Sequence, residues 1–321
     1  MNIFKLKFEP IELEMDSFGT IKFEDITQTF TTAKCDTILK GHTESVTCVS
    51  RYKNNKLLTG SFDESIRIWD FKNKTSVEIP KADYRYVRCV KFLKNGQVIS
   101  GGYDSQIKIW DMHHKQCISV LTGHTENIMC LFELENGQIL SCSQDKSIRV
   151  WDITSQTCIG ILNGHSGWVR KVIQLKTGEV LSCSNDETIR IWNINDLSCV
   201  GVLIGHESCV NEIIELKNGQ VLSCSSDYSL RIWDTNNKSC LDVINGHTSY
   251  VECITQLENE EVLSGDRKGE IRIWNLITKT CLNILTGHTA HISQIIELSS
   301  GEVLSCSADC TIRVWKRELK F

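Results

Sequence analysis

The segment GHTENIMCLFELENGQILSCSQDKSIRVWD, residues 123–152, decides the fold because close versions of it recur along the chain. Each version contains a tryptophan near its end, and these tryptophans follow one another at intervals of 41 residues in a chain of 321. The series comprises Trp69, Trp110, Trp151, Trp192, Trp233, Trp274 and Trp315. Repetition at a fixed period of this length predicts seven copies of one small structural unit.

Three polar positions recur at fixed distances before the tryptophan of each unit. A histidine preceded by glycine stands 27 residues upstream in six units, and a serine or threonine stands 10 upstream in all seven. An aspartate stands 6 upstream in six units. Asp83 replaces the histidine in the second unit and Lys268 replaces the aspartate in the sixth. We expect those two units to be looser than the others, or repaired by other contacts.

The units have the sequence pattern of strands and show no helical periodicity of useful length. Apolar and charged residues alternate before the tryptophan, as in residues 148–151 (IRVW), which is typical of a half-buried strand. Asn-Gly pairs such as Asn136-Gly137 predict tight hairpin turns, because both residues accept a positive φ. Each unit therefore carries about four short strands.

The 41-residue period, the Gly-His and Trp-Asp pairs and the aspartate in the preceding turn together resemble the WD40 repeat family. The resemblance extends over residues 33–316. It implies an all-β fold, a seven-bladed WD40 β-propeller. Residues 1–32 lie outside the repeats and are expected to form an N-terminal extension, either one or two strands or a flexible arm, followed by the propeller at residues 33–321.

The two ends of the repeat region complement one another. Residues 35–42 (CDTILKGH) match residues 281–288 (CLNILTGH), and only six residues follow Trp315. We therefore expect the N-terminal strand to pair with the last blade, which closes the ring and removes an exposed edge. This closure resembles the strand exchange that is usual in the family.

Composition and charge exclude several classes of protein. The hydrophobic fraction of 41% and the charged fraction of 23% are those of a globular chain. The net charge of −5 lacks the basic footprint of a nucleic-acid binder, so we expect no nucleic-acid partner. No apolar run is long enough for a membrane span, and residues 1–15 lack the apolar core of a secretory signal. We expect an intracellular protein, cytoplasmic or nuclear, that is monomeric alone and works within a complex.

The 16 cysteines are predicted to be reduced, since disulfide scaffolds are usually short secreted chains. One series comprises Cys35, Cys117, Cys158, Cys199, Cys240 and Cys281, and another comprises Cys142, Cys183, Cys224 and Cys306. Residues at equivalent positions of different blades lie too far apart to bind one metal ion, so we expect no metal site and assign both series to the core. Cys209 and Cys310 fall outside these series and are expected to be the more exposed thiols.

A recurring Ser, His and Asp also suggests a hydrolase triad, but a triad occurs once per site whereas these residues occur in nearly every unit. In the WD40 family they form a structural hydrogen-bond tetrad with the tryptophan, and we expect no catalytic residue and no cofactor. Five complete tetrads are predicted: His42, Thr59, Asp63 and Trp69; His124, Ser141, Asp145 and Trp151; His165, Ser182, Asp186 and Trp192; His206, Ser223, Asp227 and Trp233; His288, Ser305, Asp309 and Trp315.

Specificity is expected in three series of residues that vary between blades and that WD40 relatives commonly use on the top face. These positions lie three and five residues after the histidine and one residue before the turn aspartate. Aromatic residues and arginine, which are enriched in binding hot spots, stand at many of them. The candidate partner-binding residues are Trp168, Tyr86, Arg88, Arg170, Tyr103, Phe62, Tyr250 and Arg267.

The resemblance implies a non-enzymatic scaffold that binds protein or peptide partners on its top face. The alternative within this class is a reader of phosphorylated or acidic motifs that uses Arg88, Arg170 and Arg267. WD40 readers of arginine-containing histone tails clamp the arginine between two phenylalanines, which the channel series lacks here. An enzyme would need one polar constellation facing the channel, and the sequence offers only the dispersed Arg88, Arg170, Glu252 and His291.

Overall fold

The computed structural model describes residues 33–52, 56–70, 73–79, 82 and 85–317. These residues form β-strands and turns without a helix, so none of them belongs to a helix that could cross a membrane. The extension expected at residues 1–32 lies outside the described residues.

The strands, in chain order, are β1 (Ala33–Lys40), β2 (Val46–Arg51), β3 (Lys56–Ser61), β4 (Ile66–Asp70), β5 (Thr75–Ile79), β6 (Val87–Phe92), β7 (Val98–Gly102), β8 (Ile107–Asp111), β9 (Gln116–Leu121), β10 (Ile128–Glu133), β11 (Ile139–Ser143), β12 (Ile148–Asp152), β13 (Thr157–Leu162), β14 (Val169–Gln174), β15 (Val180–Ser184), β16 (Thr188–Asn193), β17 (Ser198–Ile204), β18 (Val210–Glu215), β19 (Val221–Ser225), β20 (Leu230–Asp234), β21 (Ser239–Ile244), β22 (Val251–Gln256), β23 (Val262–Asp266), β24 (Ile271–Asn275), β25 (Thr280–Leu285), β26 (Ile292–Glu297), β27 (Val303–Ser307) and β28 (Thr311–Arg317).

The strands assemble into seven antiparallel sheets of four, one for each sequence repeat. Blades one to six take their four strands consecutively, from β2–β5 to β22–β25. Tight turns join the first two strands of blades two to seven, and at Gly137 the turn between β10 and β11 has φ +86°, a conformation that favours glycine. The prediction of about four strands per unit is confirmed.

Blade seven is closed by the N-terminal strand, as the sequence predicts. Its order is β1-β28-β27-β26, with Lys40 opposite Thr311 and Cys35 opposite Trp315. Around the ring, the innermost strand of each blade contacts that of the next, and β26 contacts β2. The edge of β28 is therefore covered by β1, which removes a site of edge-to-edge pairing.

The core lies between neighbouring blades. The repeated tryptophan of one blade packs against the apolar side chains of the preceding blade, as Trp192 does against Leu140, Cys142 and Val150. At the ring closure, Leu39 of β1 and Leu304 of blade seven pack in one cluster with Trp69 of blade one. The outermost strand therefore contributes to the core as well as to the hydrogen-bonded ladder.

Two neighbouring residues of β1 give a matched test of the closure. Leu39 is 3% exposed within the cluster that joins blades seven and one, whereas Ile38 is 42% exposed on the same strand. Leu39→Ala should lower the free energy of unfolding by about 2–5 kcal/mol, because it leaves a cavity in that cluster. Ile38→Ala should cost under about 1 kcal/mol. Urea denaturation measures both, and equal small losses would contradict the assigned closure.

Candidate functional site

A chain of hydrogen bonds runs through each complete blade from the buried tryptophan to the turn at the top. In blade four, Trp192 Nε1 donates to Ser182 Oγ over 2.8 Å, and Ser182 Oγ lies 2.7 Å from His165 Nε2. His165 Nδ1 lies 2.8 Å from Asp186 Oδ2. Blades one, three, five and seven repeat these contacts at 2.6–2.8 Å.

The electrostatics assign the donors and acceptors within this chain. Burial raises the pKa of Asp186, but hydrogen bonds from His165 and Thr188 outweigh it and hold the carboxylate well below its usual pKa. Burial lowers the pKa of His206 in blade five, against the opposing effect of Asp227. An ionised aspartate and a neutral imidazole fit one arrangement, in which Nδ1–H donates to the carboxylate and Nε2 accepts the hydroxyl proton.

The same turns hold the residues of the channel mouth in register. In each blade, the backbone N–H of the residue before the turn aspartate donates to the carbonyl of the residue three after the histidine position, at 2.9–3.1 Å. Asn185 pairs with Trp168 in this way, Tyr103 with Tyr86, and Arg267 with Tyr250. Two of the three variable series therefore meet at the top of every blade.

The third variable series lines the central channel. Its members, in blade order, are Thr47, Arg88, Met129, Arg170, Asn211, Glu252 and Ser293, and all seven border a cavity of about 480 Å³. Among the described residues, five cations line this cavity against two carboxylates: Arg51, Arg88, Lys91, Arg170 and Lys171 against Glu212 and Glu252. The channel is therefore positively charged in a chain of net charge −5.

Three aromatic side chains form a cluster across blades one and two, which we call the aromatic cluster. Phe62 stacks on Tyr86 with ring centroids 4.5 Å apart. Tyr103 meets both rings edge-on, at 5.7 Å from Phe62 and 5.0 Å from Tyr86. Tyr86 is 42% exposed, so the cluster has an apolar surface accessible to a partner.

The predicted arginines differ in how they are held. Arg170 Nε donates to Asn185 Oδ1 over 2.8 Å, and Arg267 lies over the ring of Tyr250 at 5.4 Å. Arg88 makes no hydrogen bond or ion pair with any residue that the structure describes. Burial lowers the pKa of Arg170 and the charge of Arg88 lowers it further, so these two guanidinium groups lie within electrostatic reach of one another.

Trp168, Tyr228 and His291 complete the face, and of these only Tyr228 was missed by the sequence reasoning. Trp168 is 43% exposed, and no ring contact to it occurs within the described ranges. Tyr228 stacks on Tyr250 at 5.6 Å and has φ +71°, which is unusual for a bulky residue. Its signal in the sequence is an aromatic residue directly after the turn aspartate. Burial lowers the pKa of His291, which also senses Glu252 and Arg88.

Comparison with known proteins identifies the repeat. The family model described as WD domain, G-beta repeat matches residues 33–70, 77–111, 115–152, 156–193, 197–234, 238–275 and 279–316. The chain belongs to the WD40 family. The WD40 β-propeller domain of Doa1, a crystal structure, aligns with a TM-score of 0.82 at 23% identity, over 90% of this chain and 98% of that one. A comparison with curated protein sequences gives no significant match.

Membership of the WD40 family gives the general character of the molecule. Its fold is one that in general serves as a scaffold for protein interactions and is generally non-enzymatic. The tetrads belong to that shared scaffold, whereas the channel-mouth residues differ from blade to blade.

The sixth WD40 repeat replaces its missing aspartate from a neighbouring position. Asp266 Oδ2 lies 3.2 Å from His247 Nδ1, and Ser264 links His247 to Trp274 at 2.5 Å and 2.7 Å. Five other repeats have serine at the position of Asp266. Because the carboxylate has moved two residues upstream, Lys268 is free to stand at the turn without leaving the histidine unsatisfied.

The second repeat keeps its turn aspartate, and a lysine rather than a histidine pairs with it. Lys108 Nζ lies 2.6 Å from Asp104 Oδ2, and both side chains are largely buried. The other six repeats have arginine at the position of Lys108. Trp110 Nε1 still donates to Ser100 Oγ over 2.9 Å. Asp83, at the histidine position, lies outside the described residues.

One expectation about the cysteines is wrong. The series represented by Cys158 and Cys199 lies on the outermost strands, where Cys117 and Cys199 are exposed and the other members only border the core clusters, half-buried. The series represented by Cys183 is fully buried, as predicted. Cys209 and Cys310, expected to be the more exposed thiols, are only partly exposed. Within the described part of the chain, no group of three His, Cys, Asp or Glu side chains could hold a metal ion.

Removal of one tetrad member tests the network. His165→Ala leaves Ser182 and Asp186 without their partner in a buried site, so it should lower the free energy of unfolding by about 2–4 kcal/mol. His113→Ala makes the same chemical change at an exposed residue and serves as the control. Chemical denaturation measures both, and equal effects would show that the hydrogen bonds contribute nothing measurable.

The relocated carboxylate of blade six gives a rescue experiment. Asp266→Ser alone should destabilise the protein by about 1–3 kcal/mol, because His247 loses its acceptor. Adding Lys268→Asp restores the arrangement of the complete repeats and should recover most of the loss. A double-mutant cycle measures the coupling, and additive effects of the two substitutions would contradict the assigned role of Asp266.

Proposed function

We propose that this WD40 propeller binds a peptide segment that carries an acidic or phosphorylated residue next to an apolar one, at the mouth of the central channel. The observation that carries the proposal is Arg88. Its guanidinium group has no partner among the described residues, it borders the channel, and its neighbour Tyr86 belongs to the aromatic cluster. A guanidinium group presents several donors in a planar fork that suits carboxylate and phosphate oxygens.

The charge of the channel supports an anionic ligand. Arg88 and Arg170 belong to alternate blades, yet the charge of Arg88 affects the pKa of Arg170. Arg170 is oriented by Asn185, so less ordering is needed when it binds. Glu252 also borders the channel and acts on Arg170 in the opposite sense, so Arg88 and Arg170 together leave an excess of positive charge over this one carboxylate in the series.

Unsatisfied polar atoms at the same level also support a ligand. Asn211 Oδ1 and Ser293 Oγ are buried without a hydrogen-bond partner among the described residues, and both residues line the channel. A buried polar atom without a partner costs about 1–3 kcal/mol, and a ligand or a bound water would recover that cost. These atoms and Arg88 stand in one series of equivalent positions.

The aromatic cluster would hold the apolar part of the segment. Its three rings support one another across two blades, so little side-chain freedom is lost on binding. Aromatic side chains with an exposed face and a polar tip are frequent anchors of protein interfaces. The peptide would therefore lie across blades one and two, with its anion directed towards the channel.

Arg88→Glu tests the proposal directly. Fluorescence anisotropy would follow three labelled peptide pools with a fixed leucine and a central phosphoserine, glutamate or serine. Wild type should bind the phosphoserine or glutamate pool more tightly than the serine pool, and added salt should weaken binding. Arg88→Glu should lose about tenfold or more in affinity, as expected for a charge-assisted hydrogen bond.

Lys146→Glu is the matched control because it makes the same charge change in an exposed turn of blade three. Glu64 and Glu187 occupy the equivalent position in blades one and four, so glutamate is tolerated there. The control should bind as wild type. Trp168 gives a second readout, because the other seven tryptophans are at most 5% exposed. Salt-insensitive binding that survives Arg88→Glu would refute the proposal.

A further inference from the structure

A third cysteine series lies on the innermost strands and faces a partner series across the first hairpin of each blade. Its members are Cys48, Cys89, Cys130 and Cys253, and Lys171, Glu212 and Gln294 occupy the same position in the other blades. Each stands directly opposite a residue of the second strand, such as Cys89 opposite Gly101. The two residues of a facing pair point to the same side of the sheet.

In six of the seven blades, no cysteine faces another cysteine across this hairpin, and blade three is the exception. In blades one, two and six, a cysteine on the innermost strand faces a glycine on the second strand. A Cβ atom added to Gly60 or Gly265 would clash with the sulfur of the facing cysteine. Where the second strand has cysteine, the inner strand has a long side chain that extends away, in blades four, five and seven. Only blade three has cysteine at both positions, Cys130 opposite Cys142.

The backbone geometry of this pair suits a disulfide. Facing residues of an antiparallel ladder have Cα atoms about 4.5–5.5 Å apart. Disulfides need about 4.4–6.8 Å, a range that overlaps this spacing, and the pair lies directly after a β-bulge in β10. Cys142 Sγ already lies 3.9 Å from the carbonyl oxygen of Cys130.

Cys130 also has the surroundings of a reactive thiol. It borders the channel together with Lys91 and with Lys171, whose ammonium group is paired with Glu212. The Cys142 thiol lowers the pKa of Cys130 most, and Lys171 contributes further, so that together they outweigh the burial that raises it. Burial instead raises the pKa of Cys89, which also borders the channel. Thiolates that lie next to cations and can be reached by an oxidant are the cysteines that react. Cys130 is 8% exposed and Cys142 is fully buried, so only a small oxidant such as peroxide, entering from the channel, would reach them.

We propose that Cys130 and Cys142 form a peroxide-reactive dithiol site in the channel wall, in which Cys130 reacts first and Cys142 resolves the product. The Cys130 thiolate attacks one oxygen of hydrogen peroxide, the O–O bond breaks, and hydroxide leaves as Cys130 becomes a sulfenic acid. The Cys142 thiol then attacks the sulfenic sulfur, the disulfide forms, and water leaves with the sulfenic oxygen and the thiol proton. Two thiols are oxidised by two electrons and one peroxide is reduced.

Mass spectrometry of the intact wild-type chain tests the site. The folded protein is exposed to hydrogen peroxide at pH 7, quenched with catalase, alkylated in denaturant and digested. Trypsin leaves residues 116–146 as one peptide with three cysteines, so a further cleavage after Glu133 or Glu135 is needed to separate Cys130 from Cys142. We expect a disulfide between these two residues, with Cys117 in the same tryptic peptide remaining alkylated.

Two comparisons test whether Cys130 is the reactive thiol and Cys142 its partner. In the same wild-type molecule, Cys130 should react with iodoacetamide about tenfold or more faster than Cys89, its equivalent opposite glycine. In Cys142→Ser, dimedone should trap the sulfenic acid at Cys130, whereas Cys89→Ser should leave the disulfide yield unchanged. Equal labelling of Cys130 and Cys89, or a peroxide product that excludes the Cys130–Cys142 bridge, would overturn the proposal.

Discussion

The fold depends on one hydrogen bond that recurs in six of the seven blades, from the imidazole of the histidine to a carboxylate at the turn. In blade four, Asp186 accepts from His165 and also from the backbone N–H of Ser166, at 2.9 Å. The same carboxylate therefore fixes both the loop that enters the blade and the turn between its second and third strands. Trp168 follows the histidine by three residues and Asn185 precedes the aspartate, so the variable residues stand between the fixed ones. A ring of such anchors allows the channel mouth to vary in chemistry while its backbone stays in place.

The two irregular repeats show that the constraint acts on the buried polar groups rather than on residue identity. In blade six the carboxylate of Asp266 reaches His247 from a different position, and in blade two the ammonium group of Lys108 pairs with Asp104. Either missing partner, left unreplaced, would have left a charged or polar group buried and unsatisfied. Both repeats lack a tetrad residue at its usual sequence position. The hydrogen bond, however, requires only that a suitable polar atom lies within reach, whichever residue supplies it.

The sequence alone was sufficient for the fold, since seven tryptophans in one register and the match of residues 35–42 to 281–288 specify the blades and their closure. It was insufficient wherever two strands or two blades must be brought together. Period-two alternation does not distinguish an outermost strand from an inner one, which is why the series of Cys158 was expected inside the core, although its members are exposed or only border it. The stacking of Phe62 on Tyr86 and the facing of Cys130 and Cys142 arise from the contact of blades and the register of a hairpin. Neither contact can be predicted by comparing residues at equivalent positions of the repeats.

Among the described residues that line the channel, every cation except Arg88 already contacts a partner. Lys171 pairs with Glu212, whose other oxygen accepts the backbone N–H of Ile254 and so ties three blades together. Lys91 lies 5.8 Å from the ring centroid of Phe132, and Arg51 donates to the carbonyl oxygen of Glu297 in blade seven. An ion pair that also fixes neighbouring backbone is costly to break, because each partner would remain buried without the other. An anion that moved further into the channel than Arg88 and Arg170 would therefore gain little additional electrostatic stabilisation. This distribution of charge favours recognition of one side chain at the mouth over the passage of a ligand through the ring.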